Sequence, residues 1–154
     1  MSEIIDWQHW NAINRALQRY ADAFDRADLP ALLDLFAPEA DWDHGPDHVL
    51  HGREAIGAFL SERFAAYTQT SHHIGPPAVT RGREPSTFEA VAYLIATHVL
   101  HDGGSFTGYG RYLTTFRETE TGLLITRHAV VAHVTHGASP SVNQLVRIAG
   151  RDTV

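Results

Sequence analysis

Two adjacent histidines stand in the stretch "TSHHIGPP", residues 70–77. A neutral imidazole can take a proton from carbon or oxygen near neutral pH, but it is a weak base until a carboxylate fixes its tautomer. In an extended segment neighbouring side chains point to opposite faces, so at most one of His72 and His73 enters an interior. A carboxylate able to serve either is Asp25, in "YADAFDRADLP". It follows Phe24 and lies five positions after Tyr20, at the border of an apolar stripe. There it is either an exposed helix-end residue or one turned inward. Turned inward, it would accept the Nδ1–H of a histidine and raise the basicity of Nε2. Such a pair needs no cofactor, and it suits dehydration, isomerisation, β-elimination and intramolecular aldol chemistry.

Other histidines offer less. His98, in "AVAYLIATHVL", shares strand parity with Ala92, Leu94, Ala96 and Leu100, which marks it as a pocket-wall residue. His98 and His101 form H-x-x-H, but an odd separation in a strand sends the two rings to opposite faces. His128, His133 and His136 fail in the same way as neighbouring pairs. There is no H-E-x-x-H helix, nucleophile elbow, P-loop or complete dinucleotide fingerprint; "GYGRY" lacks the third glycine. The expectation is no metal site and no cofactor.

Composition narrows the class. The 154 residues suit one domain spanning 1–154, with a single sizeable core. A net charge of −6 and the lack of any basic run argue against nucleic acid as a partner. The absence of cysteine removes disulfides and thiolate chemistry. The acidic start "MSEIIDWQHW" does not read as a signal peptide, and no apolar run has the length of a membrane span. A cytoplasmic location is expected, with no membrane partner.

The elements that must position these residues fall into two halves. Trp7, Trp10, Ile13, Leu17, Tyr20, Ala21 and Phe24 recur at helical spacing behind a candidate N-cap, Asp6. A second helix is predicted at "DLPALLDLF", capped by Asp28 and stopped by Pro38. "EADWDHG" reads as a short strand, and "GREAIGAFLSERFAAYTQ" as a third helix with Ile56, Phe59, Leu60, Phe64 and Tyr67 on one side. Long β-branched and aromatic segments follow, joined by the hairpin signals "HDGGS" and "TETG". Helices grouped before strands predict an α+β domain: a curved antiparallel sheet wrapped by N-terminal helices into a cone with an internal cavity. Both parities of "AVAYLIATHVL" are apolar, so the outer sheet face is expected to bury itself in a homodimer or homotrimer. Residues 137–154 lack periodicity and are read as a C-terminal arm.

The stretches "RYADAFDRADLPALLDLFAPEADWDHGP", "GREAIGAFL", "TSHHIGPP" and "GRYLTTFRETETGLLITRHAVV" occur in an order that resembles the SnoaL-like branch of the nuclear-transport-factor-2-like superfamily. The chain is similar to the scytalone dehydratase, hexachlorocyclohexane dehydrochlorinase and bile-acid dehydratase members. The resemblance implies an Asp–His dyad with Asp25 as its carboxylate. It also implies a T-x-H register with a glycine three residues on, which selects His72 over His73. A second histidine on the following strand falls approximately at His98, and a pocket tyrosine falls at His44. Phe24 stands where scytalone dehydratase has tyrosine, and Pro76 where some members have asparagine, so no substrate identity carries over.

The reading that follows is a cofactor-independent lyase or isomerase acting on a small, largely apolar cyclic molecule, of polyketide, steroid or terpenoid type or a xenobiotic. His72 would be the base and Asp25 its partner. His98 and His44 would hold or protonate a leaving oxygen, and Trp42, Phe24, Phe59 and Phe64 would supply apolar wall. Arg111 would anchor a polar group or, as favoured, pair with an acid on the sheet surface. The competing reading is a non-catalytic ligand binder or assembly subunit resembling the β chain of ring-hydroxylating dioxygenases.

Overall fold

The computed structural model describes residues 4–44 and 48–137, and the backbone of 147–148. Helix α1 spans Trp7–Asp25, and Asp6 caps it by accepting the His9 backbone N–H at 3.0 Å. Its buried stripe is Ile13, Leu17, Tyr20, Ala21, Ala23 and Phe24. The stripe begins later than its spacing suggests: Trp7 is 70% exposed and only stacks on Trp10, whose indole N–H reaches the Pro77 carbonyl. Helix α2 is short, Leu29–Leu33, with Asp28 accepting the Ala31 N–H.

Strand β1, Phe36–Asp43, starts before the predicted "EADWDHG" and contains Pro38. Pro38 is therefore not a helix stop. It lies where the pairing register of β1 shifts between Phe36 and Asp41, a place where a missing N–H costs no ladder bond. Strand β2 is Val49–His51, and helix α3 is Arg53–Ala66. Tyr67, expected in that helix, opens strand β3, Tyr67–Ile74. Strands β4 (Ala78–Arg81), β5 (Thr87–Leu100), β6 (Ser105–Thr119), β7 (Gly122–His136) and β8 (Arg147–Ile148) follow.

The sheet runs β2-β1-β7-β6-β5-β3, with β4 also on β5 and β8 also on β7. The hairpins β5–β6 and β6–β7 are antiparallel as predicted. The sheet as a whole is mixed, because β1 and β8 each lie parallel to β7. This corrects the purely antiparallel expectation. The first strand of the chain is brought beside the last long one by tertiary closure, which no local turn signal encodes. The arm expected at 137–154 falls outside the described residues apart from Gly137 and β8.

Strand β5 shows how the sheet divides inside from outside. Ala90, Ala92, Leu94 and Ala96 are buried, whereas Tyr93 and Ile95 are exposed. The small inward residues leave space between sheet and helices. The "GYG" stretch enlarges that space: a Cβ at Gly108 would meet nothing within 4 Å. At Gly110 a Cβ would lie 2.1 Å from the Val131 carbonyl oxygen, so only glycine lets β6 and β7 approach at that register shift.

Candidate active site

Asp25 is the last residue of α1, and the helix aims its carboxylate at β3. Oδ1 accepts from His72 Nδ1 at 2.7 Å and from the Thr70 hydroxyl at 2.8 Å. Oδ2 accepts the His72 backbone N–H at 2.8 Å. Thr70 and His72 share a face of β3 because they are two residues apart. The carboxylate is thus held by three donors from one strand. Burial pushes the Asp25 carboxyl up, but the bonds from the His72 ring, the His72 backbone and Thr70 outweigh it and hold the group below its ordinary value. An ionised carboxylate can only accept, so His72 Nδ1 is the donor of this bond, and in the neutral ring Nε2 is the nitrogen with the free lone pair.

The His72 side chain is 3% exposed and lines a cavity of about 110 Å³ between α1, α3 and the sheet. Phe24 lies against it, ring centroids 4.4 Å apart. His98 stands perpendicular to it at 5.3 Å. That neighbour follows from register, since Thr70 pairs with His98 and His72 with Ala96 across β3 and β5. His98 also stacks on Phe106 at 4.5 Å. Burial, then the nearby His72, push its pKa down to about 3. His98 is therefore neutral near pH 7: it can donate a hydrogen bond from an N–H but has no imidazolium proton to give.

His44, Trp42, Phe24 and Phe59 all line the same cavity. His44 packs on Trp42 at 4.7 Å and on Phe59 at 5.0 Å. Phe64 does not line it; it stands behind Phe24, edge to face at 5.1 Å. Arg111 does not line it either. Tyr112 beside it points inward, so by alternation Arg111 lies on the outer face between Tyr93 and Val131. No ion pair of Arg111 with an acid is present among the described residues, and its Nε is buried without a hydrogen-bond partner. His73 is exposed, with its Nε2 3.1 Å from the Ser71 hydroxyl.

Several residues around the cavity are not singled out as site residues in the sequence reading. Thr70 could have been found, because a residue two before His72 must share its face. Arg63 and Tyr67 line the cavity from α3 and β3, with the Arg63 guanidinium 4.7 Å from the centre of the Phe59 ring. Tyr20 and Tyr112 line it too, and His128 is wholly buried beside them. Among the described residues no three His, Asp or Glu side chains group as metal ligands, and no helix is long and apolar enough to cross a membrane.

The fold and site together define a class: an α+β protein with helices packed on a curved, open sheet, enclosing an aromatic-lined cavity with a carboxylate–imidazole pair at its wall. Residues 8–129 match the model of the SnoaL-like domain, and the chain belongs to that family. A crystal structure of a candidate aromatic ring hydroxylase from Novosphingobium aromaticivorans is similar, with 29% identity and a TM-score of 0.81 over 88% of this chain and 96% of that one. A candidate scytalone dehydratase from the same organism is 18% identical, with a TM-score of 0.84 over 95% and 96%. A type 2 hexachlorocyclohexane dehydrochlorinase is 10% identical, with a TM-score of 0.76 over 95% and 96%. The last two likenesses show the shared fold. No curated protein sequence matches the chain.

Proposed function

We propose that this protein is a cofactor-independent lyase or isomerase of the dehydratase or cyclase type, acting on a small apolar cyclic molecule. The observation that carries this reading is the 2.7 Å contact between Asp25 and His72 at the cavity wall. His72 Nε2 takes a proton from an activated C–H of the substrate. The C–H electron pair becomes a C=C bond as the leaving group departs from the neighbouring carbon, and the imidazolium returns the proton to a leaving hydroxyl as water. Asp25 stabilises the imidazolium in between. Neutral His98 donates a hydrogen bond to the departing oxygen, and the Trp42, Phe24 and Phe59 rings exclude water and hold the ring. The fold family, with dehydratase and dehydrochlorinase members, fits this chemistry at the level of lyase or isomerase.

The test is a panel of cyclic β-hydroxy ketones and halogenated rings assayed with wild type, Asp25→Asn and His72→Ala. Turnover of one compound, lost in both variants, supports the dyad. Turnover unchanged in both would sink it.

A second reading draws on the likeness to a protein described as an aromatic ring hydroxylase. On that reading the chain is an assembly or ligand-binding subunit. It predicts co-purification with a larger redox partner and no turnover by the isolated chain. In either case we infer a homo-oligomer through the outer sheet face, where Tyr93, Ile95, Tyr109, Leu113 and Val134 are exposed. Ile95→Arg is expected to shift the mass measured by light scattering to that of a monomer; a wild-type monomer contradicts the inference.

A further inference from the structure

Among the described residues no aspartate or glutamate lines the cavity, and its one permanent charge is a cation, Arg63, in the last turn of α3. Arg26, Arg117 and Arg127 each pair with an acid. Arg63 does not: among the described residues no carboxylate lies within ion-pair distance of it. A last-turn arginine faces the negative end of its helix, but that role needs no contact with a cavity. Here the guanidinium lies over the Phe59 ring, 4.7 Å from its centre, and both side chains line the cavity. A guanidinium over a ring face keeps its N–H edges free, and those edges form the fork that matches the two oxygens of a carboxylate.

Tyr67, the first residue of β3, stands beside Arg63 and lines the same cavity. Burial pushes the Tyr67 phenol up, and the charge and bond of Arg63 oppose this only in part, so the hydroxyl stays protonated near pH 7. A guanidinium can only donate, so the phenol oxygen accepts from Arg63 and its own proton is left for a ligand. The Tyr67 ring lies 4.8 Å from His98, whose Nδ1 is buried without a hydrogen-bond partner. His98 in turn lies 5.3 Å from His72. A cation, a phenol and a neutral imidazole thus meet at one end of the cavity, a single imidazole away from the dyad. His98, pushed down to about 3, offers no second positive charge there.

We propose that Arg63, with the Tyr67 hydroxyl, binds the carboxylate of a cyclic or aromatic carboxylic acid, whose apolar ring lies against Phe24 and Trp42. The inference rests on the reading of this cavity as the substrate site. It deepens that reading: the small cyclic molecule is apolar over its ring and anionic at one edge.

The test reads binding alone, so it stands apart from the dyad. trans-Cinnamate and trans-cinnamamide have the same shape and differ in charge, and neither offers the dyad a leaving group. Their binding to wild type, Arg63→Gln and Arg63→Lys is measured by equilibrium dialysis with absorbance detection. Wild type should prefer the acid to the amide. Arg63→Gln is expected to weaken cinnamate by roughly 10- to 100-fold, the usual worth of hydrogen bonds to a charged group, and to leave cinnamamide within about twofold. Arg63→Lys keeps the charge without the fork and should fall between. Because Arg63 is half-buried, the acid preference should shrink as salt is raised. Equal changes for both ligands would show that Arg63 serves only to pack on Phe59, and would overturn the proposal. Failure of wild type to bind cinnamate would overturn it as well. An acid preference with no turnover of any ring compound supports it and removes only the dyad chemistry. Turnover that is lost in Asp25→Asn and His72→Ala, without any acid preference, removes only this inference.

Discussion

The two ends of the cavity are built on opposite principles. At the dyad end every polar atom of Asp25 has a donor, the charge is kept, and the side chain is 27% exposed. At the Tyr20–Trp42–His128 end the groups are neutral and buried, and the Trp42 indole N–H and His128 Nε2 lack partners. The first end is complete before any ligand arrives, as a base must be if its tautomer and direction are to be fixed. On the proposed reading the Asp25 end serves proton transfer; Asp25 and Tyr20 both lie on α1.

The largest effect should come from breaking the dyad end. Asp25→Asn keeps the size of the side chain and an acceptor for the His72 backbone N–H, but removes the charge. Turnover is expected to drop by ~10²–10⁴, the usual span for general acid–base help, while circular dichroism and the unfolding midpoint show a folded chain. An equal loss in kcat at unchanged KM would separate chemistry from binding.

Next in size is the acid sensitivity of the buried histidines. His98 and His128 have native pKa values pushed down to about 3, whereas an unfolded histidine titrates near 6.5. A depressed pKa means that the unfolded chain binds more protons below pH 6.5. Stability from these groups is present above that value and lost as pH falls from 6.5 towards 3. Each contributes a slope of up to about 1.4 kcal/mol per pH unit. Urea unfolding across that window should show it, and His128→Phe should flatten the slope whatever it does to the intercept. An unchanged slope contradicts the burial argument. Asp25 adds a separate loss at the acid end, as pH falls below the ordinary aspartate range through its lowered native value.

A smaller effect tests the dyad end by stability. Thr70→Val removes a hydroxyl that donates to Asp25. It should cost about 0.5–1.5 kcal/mol, with a matching fall in the unfolding midpoint. An unchanged midpoint contradicts the three-donor account of Asp25. The smallest effect is at the other member of the histidine pair. His73→Ala, on the exposed face of β3, should change stability by no more than about 0.5 kcal/mol and leave turnover near wild type.

Much of this was legible in the residues. The Asp6 and Asp28 caps, the α1 stripe from Ile13 to Phe24, the two hairpin turns and the inward parity of Ala92, Leu94, Ala96 and His98 each depend on neighbours a few positions apart. Strand alternation separates His72 from His73 without saying which is inside, and the family resemblance supplied the choice. Where reading by spacing went astray, a distant partner had intervened. Trp7 fits the stripe but is 70% exposed, stacked on Trp10. Pro38 reads as a stop but rests at a register shift against β7. Phe64 has the right face of α3, yet Phe24 stands in front of it.

The sequence by itself therefore determined the helices, the strand faces and the kinds of chemistry present, because those follow from φ/ψ preference and periodicity within a few residues. Tertiary structure alone decided that β1 lies parallel to β7, that a carboxylate 47 positions before His72 meets its Nδ1, and that the Tyr20, Trp42 and His128 rings pack together. Contacts across such separations are selected by the free energy of the whole packed core against chain entropy, and no short window of residues carries that sum.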